Sequence, residues 1–341
     1  MQKRLISFIK YAFFLGLGIF LVWWSIHKMS DKDYHDFINA LKTANYYLLI
    51  PVFFIITASH ISRALRWKIL MRSMGYNPKF SNTFCAVMVG YLANFAFPRL
   101  GEILKCTILG KYEKVPPDKL IGTILVERAV DLLSFFIIII ISLLTQAKVV
   151  GGYAKDAFNE YFLSQNKEAA LIKIIAGIFI VVIIFFLLKF IFRKYLHIKL
   201  VQRIKNIFTG IKVGLLSVKN LPNKGLFIFH SIFIWACYLG GTYIGFFAIK
   251  ETSVLPALAA FPVLVFGTVA TIITPGGIGS YPELLMDAMK LYDIPEGFGK
   301  ANGLLQWAAQ FLLTLVIGFT SVIILPYINK PKNEIGTSDT P

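Results

Sequence analysis

Acidic residues are scarce: this chain of 341 residues has 18 Asp and Glu against 35 Lys and Arg, a formal net charge of +17. Cysteine is scarcer still. Cys85, Cys106 and Cys237 stand at irregular spacing in or beside apolar stretches, which excludes a disulfide framework and a thiolate metal cluster and leaves them as small packing residues. The five histidines (His27, His35, His60, His197, His230) are scattered. Asp31, Asp33 and Asp36 are interleaved with Lys28, Lys32 and Lys42, so the convergent oxygens that a hard cation needs are not assembled, and neither a metal nor a cofactor is expected. A Gly-rich phosphate loop of the nucleotide-binding kind is missing, which argues against ATP hydrolysis by this chain.

A surplus of positive charge can signal nucleic acid, but what is abundant here points elsewhere. With 57% hydrophobic residues, 31 Phe and a mean hydropathy of +0.68, the chain is too apolar for a water-soluble domain of its size. It reads as an all-α polytopic membrane protein. In that setting Lys and Arg fix topology and touch anionic headgroups, and no nucleic-acid partner is expected.

A helix needs about 20 apolar residues to cross a hydrocarbon core about 30 Å thick. Spans are therefore expected at Ser7 to Ile26, Tyr46 to Ile61, Leu120 to Leu144, Leu171 to Phe192, Leu226 to Ile249 and Gly303 to Leu325. The first is expected to be retained, since no small-residue cleavage site follows Trp23 and Trp24. The stretch 199–219 has the spacing of an amphipathic helix for the cytoplasmic interface, and 326–341 is expected to be a disordered cytoplasmic tail.

Two apolar runs are broken by proline and glycine, one across Asn94 to Glu102 with Pro98, the other Thr274-Pro275-Gly276-Gly277-Ile278-Gly279-Ser280-Tyr281-Pro282-Glu283. Backbone freed from helical bonding survives at membrane depth only where protein or a water-filled cavity surrounds it. If each broken run, Phe80 to Gly110 and Leu255 to Lys290, goes in and comes back as a helical hairpin, the eight basic residues between Arg193 and Gly225 fall on the cytoplasmic side with Lys3, Arg4 and Lys10. That gives six transmembrane helices plus two re-entrant hairpins entering from opposite faces, with both termini inside.

Opposed entry is what an inverted repeat produces. Pro98 and Pro275 are 177 residues apart, while Pro116 and Pro295, Glu127 and Gln306, and Asp131 and Gln310 are each 179 apart. The expected organisation is one membrane domain over 1–325, with repeat 1 over 46–145 and repeat 2 over 226–325. A chance alignment of apolar runs is the competing explanation.

Ionisable residues at membrane depth carry the functional expectation. Glu127 lies eight residues past Lys119, roughly 12 Å along a helix. Asp131 shares its face, and Arg128 is within reach of Asp131, leaving a local surplus of one negative charge for Arg99, Glu102 and Lys105 to meet. Either this is a buried network that fixes helix packing, or it lines a polar path for a lipid headgroup. Helix N-termini after Pro98 and Pro275 would suit an anion, and Gly276, Gly277 and Gly279 would let backbone approach it closely. Substrate-binding candidates are thus Arg99, Glu102, Lys105, Glu127, Arg128, Asp131, Pro275, Gly276, Gly277, Gly279, Glu283 and Gln306. Arg63 and Arg66, read as lying just inside the second span, are expected to anchor topology or to touch anionic lipid. Gly241 and Gly245 match a small-residue helix-packing pattern.

Arg63-Ala64-Leu65-Arg66-Trp67, the segment Asn94 to Glu102, Val126-Glu127-Arg128 with Asp131, and Thr274 to Gly279 with Glu283 together resemble the lysylphosphatidylglycerol synthase transmembrane region, the flippase-like or UPF0104 family. The resemblance covers roughly 5–325. It implies a multi-pass bacterial or archaeal plasma-membrane protein that moves modified phospholipids or lipid-linked intermediates between leaflets. Two-domain members of the family add a soluble aminoacyl-transfer domain after the membrane part. This chain stops sixteen residues after Leu325, so lysyl transfer is not expected. Lys105 stands where the family more usually has arginine, which disfavours bidentate phosphate binding at that position.

Three functions follow: a flippase-like lipid translocator not driven by ATP, a membrane-embedded lipid-modifying transferase, or a non-transporting partner subunit of a lipid-modifying enzyme. Membrane lipids, such an enzyme and a second copy of the chain are the partners expected, and no catalytic residue is assigned.

Overall fold

The computed structural model describes residues 27, 29–96, 100–147, 149, 221 and 223–330. Among them are nine α-helices: α1 (Asp31–Thr43), α2 (Leu49–Arg72), α3 (Phe80–Ala96), α4 (Leu100–Glu113), α5 (Pro117–Thr145), α6 (Lys224–Phe246), α7 (Ala260–Ile273), α8 (Ser280–Lys290) and α9 (Glu296–Ile328). The expected spans at 7–26 and 171–192, the interfacial helix at 199–219 and most of the tail lie outside the described residues.

By length and apolar composition, three described helices can cross a membrane: the stretch Tyr46–Arg72 that contains α2, then α6 and α9. α5, with 29 residues, is long enough but carries Glu127, Arg128 and Asp131 midway. Three boundaries differ from expectation. The second span does not stop at Ile61; its helix runs on to Arg72, because the polar residues that follow are buried in protein and need no water. α9 begins at Glu296, next to the N-cap Pro295, and continues through Pro326 to Ile328, so the first residues of the expected tail are helical. The outer segment before the second span contains α1, whose start is fixed by Ser30: its Oγ accepts from the Asp33 N–H at 3.1 Å.

Both broken runs are helical hairpins. α3 and α4 fold back on each other so closely that a Cβ on Gly101 would overlap the carbonyl of Gly90. At this break the Gly101 N–H donates to Asn94 Oδ1 at 2.8 Å, replacing a helical bond that the turn removes. Between α7 and α8 lies a short 3-10 turn, Pro275–Gly277, with Gly276 at φ 62°, a left-handed conformation that glycine tolerates. Ser280 Oγ donates to the Ala270 carbonyl at 3.0 Å, and Trp307 Nε1 donates to the Gly276 carbonyl at 2.9 Å. The freed backbone groups of both breaks therefore find partners inside the protein.

Helix contacts come in pairs. α2 touches α5 as α6 touches α9, α3 lies on α9 as α7 lies on α5, and α2 meets α6. Two cores result: one around Trp67, Met71, Leu109 and Leu120, the other around Phe246, Val263, Leu285 and Met289. Outward faces of α5, α6 and α9 carry exposed Leu, Ile, Val and Phe, as lipid-facing surfaces do.

Candidate functional site: a cavity between two broken helices and a buried ion cluster

α2 runs past α5 with its polar residues facing inward. Arg63 and Arg66, three apart, share the face that meets Glu127 and Asp131, four apart on α5. Asp131 accepts from Arg63 Nη1 on one oxygen and from Arg66 Nη2 on the other, each at 2.6 Å. Glu127, only 2% exposed, accepts from Lys105 Nζ of α4 at 2.8 Å, with Arg63 at 3.2 Å and Arg66 at 3.4 Å. Lys105 also lies over the Trp67 ring at 4.7 Å, and Trp67 Nε1 donates to Thr123 Oγ1 at 2.7 Å. Burial of this many charges is tolerated because each carboxylate meets several cationic donors.

Two expectations are corrected here. Arg63 and Arg66 are not at a membrane rim: Arg66 is fully buried, because α2 continues beyond the apolar stretch and folds both guanidiniums against α5. Arg128 does not pair with Asp131. It points the other way round α5, and its Nη2 donates to Glu102 Oε1 on α4 at 2.8 Å. The local balance therefore reverses: Arg63, Arg66, Lys105 and Arg128 face Glu102, Glu127 and Asp131, a surplus of one positive charge.

Glu102, Lys105, Glu127 and Arg128 surround a void of about 20 Å³ beside Gly90, Asn94 and Gly101, room for one water. A larger cavity of about 710 Å³ lies between the two helix sets. Its polar wall has His60, Arg63, Tyr91, Arg128 and Asp131; the facing wall has Tyr281, Gln306, Trp307 and Gln310. The two breaks approach each other at this cavity, since Phe95 packs on Gly276 so closely that any side chain there would overlap the ring. Phe95 also meets Phe311 edge to face, with centroids 5.0 Å apart.

Of the substrate-binding candidates, Arg128, Asp131, Gly276 and Gln306 line the large cavity, and Glu102, Lys105 and Glu127 line the small void. Glu283 pairs with Lys300 at 2.9 Å instead. Gly277 packs against Tyr281, and Pro275 and Gly279 belong to the turn rather than the wall. The helix start expected directly after Pro275 comes later, at Ser280, because the 3-10 turn intervenes. Arg99 lies outside the described residues.

His60, Trp235 and Tyr238 were missed as wall residues. The signal was present for His60, which stands three residues before Arg63 on one helix face. In the second helix set, Gln306 occupies the place of Glu127: it packs on Gly245 as Glu127 packs on Arg66, and donates to Asn302 Oδ1 at 2.7 Å. Gln310, in the place of Asp131, donates to the Tyr281 hydroxyl at 3.2 Å. Charge is thus concentrated in one half of the molecule and neutral amides in the other.

The family model described as the lysylphosphatidylglycerol synthase TM region matches residues 7–318. The chain is 23% identical over 316 residues to the UPF0104 membrane protein MJ1595 of Methanocaldococcus jannaschii, covering 87% of this chain and 90% of that one. No solved structure matches it. The apolar helices, the two hairpins and a match that runs almost end to end lead to one conclusion: the chain belongs to the family of lysylphosphatidylglycerol synthase TM regions.

Proposed function

We propose that this protein moves the headgroup of a membrane lipid between leaflets through the cavity bounded by its two broken helices, without ATP. The observation that carries this reading is the coincidence of three features in one place. Both breaks border a 710 Å³ cavity, its polar wall holds Arg63, Arg128 and Asp131, and the surrounding outer faces are apolar. A headgroup would cross on the polar wall while its acyl chains stay in hydrocarbon. Paired helix contacts and the 179-residue offset between Glu127 and Gln306 support an inverted repeat, in which the hairpins enter from opposite faces and rock to alternate access. The charge distribution of the loops supports six spans with both termini in the cytoplasm of a bacterial or archaeal cell, and one membrane domain over 1–325.

Within this scheme the buried cluster and the cavity divide the work. Glu127, Lys105 and Arg66 are saturated by one another and hold the halves of the first helix set, whereas Arg128 is half exposed and free to exchange Glu102 for a ligand. The family's printed name refers to lysylphosphatidylglycerol synthesis, but nothing in this cavity resembles a nucleophile with a base, so the role is movement of lipid and not lysyl transfer.

The test is leaflet exchange of a headgroup-labelled phosphatidylglycerol in proteoliposomes, read by loss of accessible label. Exchange is expected in wild type and not in protein-free vesicles. Thr268→Trp, which fills the cavity from α7, is expected to abolish it while the protein still purifies as a single folded species. Equal exchange in that variant and wild type would overturn the path.

A further inference from the structure

Granted the translocation reading, the charge of the cavity wall decides which headgroup enters. Asp131 is the sole carboxylate on that wall among the described residues, and Arg63 and Arg66 already occupy it, each at 2.6 Å. Glu102 and Glu127 face the small void and are held there by Arg128 and Lys105. One positive charge is left over from the joined cluster. The stretches 7–26 and 171–192 contain Lys10, Lys173 and Lys189 but no Asp or Glu, so neither can supply a balancing carboxylate.

Orphaned polar atoms point the same way. His60 Nδ1, Arg63 Nε and Trp235 Nε1 belong to cavity-lining side chains that are more than nine-tenths buried, and none of these atoms has a hydrogen-bond partner among the described residues. The Tyr238 hydroxyl accepts from Arg63 Nη2 at 3.3 Å and keeps its own proton to give. Buried donors are costly to leave unmatched, and a phosphate, with several acceptor oxygens, matches this set. An ammonium would find poorer reception, because Trp307 is stacked on Phe311 and Trp235 on Phe135, closing one face of each ring.

We propose that the cavity takes a net-negative phosphodiester headgroup without an ammonium group, its phosphate between Arg63, Arg128, Trp235 and Tyr238, and discriminates against lysylphosphatidylglycerol, whose two ammonium groups would meet an uncompensated positive wall. Specificity of this kind comes from the repulsive element as much as the attractive one.

The purified full-length chain, stripped of lipid in detergent, is titrated with phosphatidylglycerol, phosphatidylethanolamine and lysylphosphatidylglycerol, and bound lipid is counted by native mass spectrometry. Phosphatidylglycerol should bind at least about tenfold more tightly than the lysyl form, with phosphatidylethanolamine between them. Trp235→Phe keeps the ring and removes the donor, and should weaken phosphatidylglycerol severalfold. Arg128→Gln, on a half-exposed residue that the fold does not need, should narrow the gap between phosphatidylglycerol and the lysyl form. Tighter or equal binding of the lysyl form in wild type, or a gap unchanged in Arg128→Gln, overturns the proposal. Binding is read without any movement between leaflets. Selective binding in a protein that exchanges nothing would therefore sink the translocation reading and leave this one standing.

Discussion

Glu127→Gln removes the one carboxylate that touches Lys105, Arg63 and Arg66 together, at 2.8, 3.2 and 3.4 Å. The excess positive charge of the cluster doubles, and the new amide nitrogen faces a cation. Removing one partner of a buried pair costs about 3–5 kcal/mol, because the other charge stays buried without compensation. Replacing both partners is much cheaper. Lys105→Met with Glu127→Gln deletes one charge of each sign and restores the original balance, so the double variant should be more stable than Glu127→Gln alone. A double-mutant cycle, from chemical denaturation of the purified protein in detergent, is expected to give a coupling of about 1–3 kcal/mol. The reasoning fails if Glu127→Gln lies within about 0.5 kcal/mol of wild type, the ordinary range for surface changes, or if the double variant is no better than the single one. Gln306 is the internal control: it takes the same place in the second helix set, where no guanidinium is present, and an amide is at home there.

Arg66→Lys should lose at least one charge-assisted hydrogen bond of about 1.5–3 kcal/mol, because an ammonium cannot reach Asp131, Glu127 and Ser231 as the planar fork does; the same denaturation measurement checks it. Gly276→Ala combines a positive φ of 62° with overlap of the Phe95 ring. It should destabilise by about 1–2 kcal/mol from the backbone alone, and adding Phe95→Ala should recover the steric part but not that remainder. Trp307→Phe removes the donor that holds the Gly276 carbonyl and should cost about 0.5–1.5 kcal/mol, with faster amide exchange confined to 274–279.

The architecture was legible where physics leaves few choices. Proline and glycine inside apolar runs force a break, and both breaks are hairpin turns whose free backbone groups are satisfied internally. Charge was read correctly in kind and wrongly in place. Arg63 and Arg66 follow the last strongly apolar residues of their span, so sequence alone sets them at a membrane edge. Their true environment depends on α5, sixty residues away, which brings Glu127 and Asp131 to the same level. A hint was available: two carboxylates four apart on an apolar helix need two cations with helical spacing, and Arg63 and Arg66 are such a pair. Arg128 was misread because three-residue spacing permits contact with Asp131 without requiring it, and a better partner in Glu102 came from the hairpin. The neutral second half was legible as Gln306 and Gln310 opposite Glu127 and Asp131, but that the asymmetry leaves one wall positive emerges only when the partners are paired in space.

A density map of the protein reconstituted in phosphatidylglycerol-containing nanodiscs tests the central claim most directly. The account predicts a headgroup resolved in the cavity beside Arg63 and Trp235, within reach of Phe95 and Gly276, with acyl chains leaving between apolar helix faces. A cavity closed by protein, or filled only by acyl chains with no polar density against Arg63 and Arg128, would contradict it.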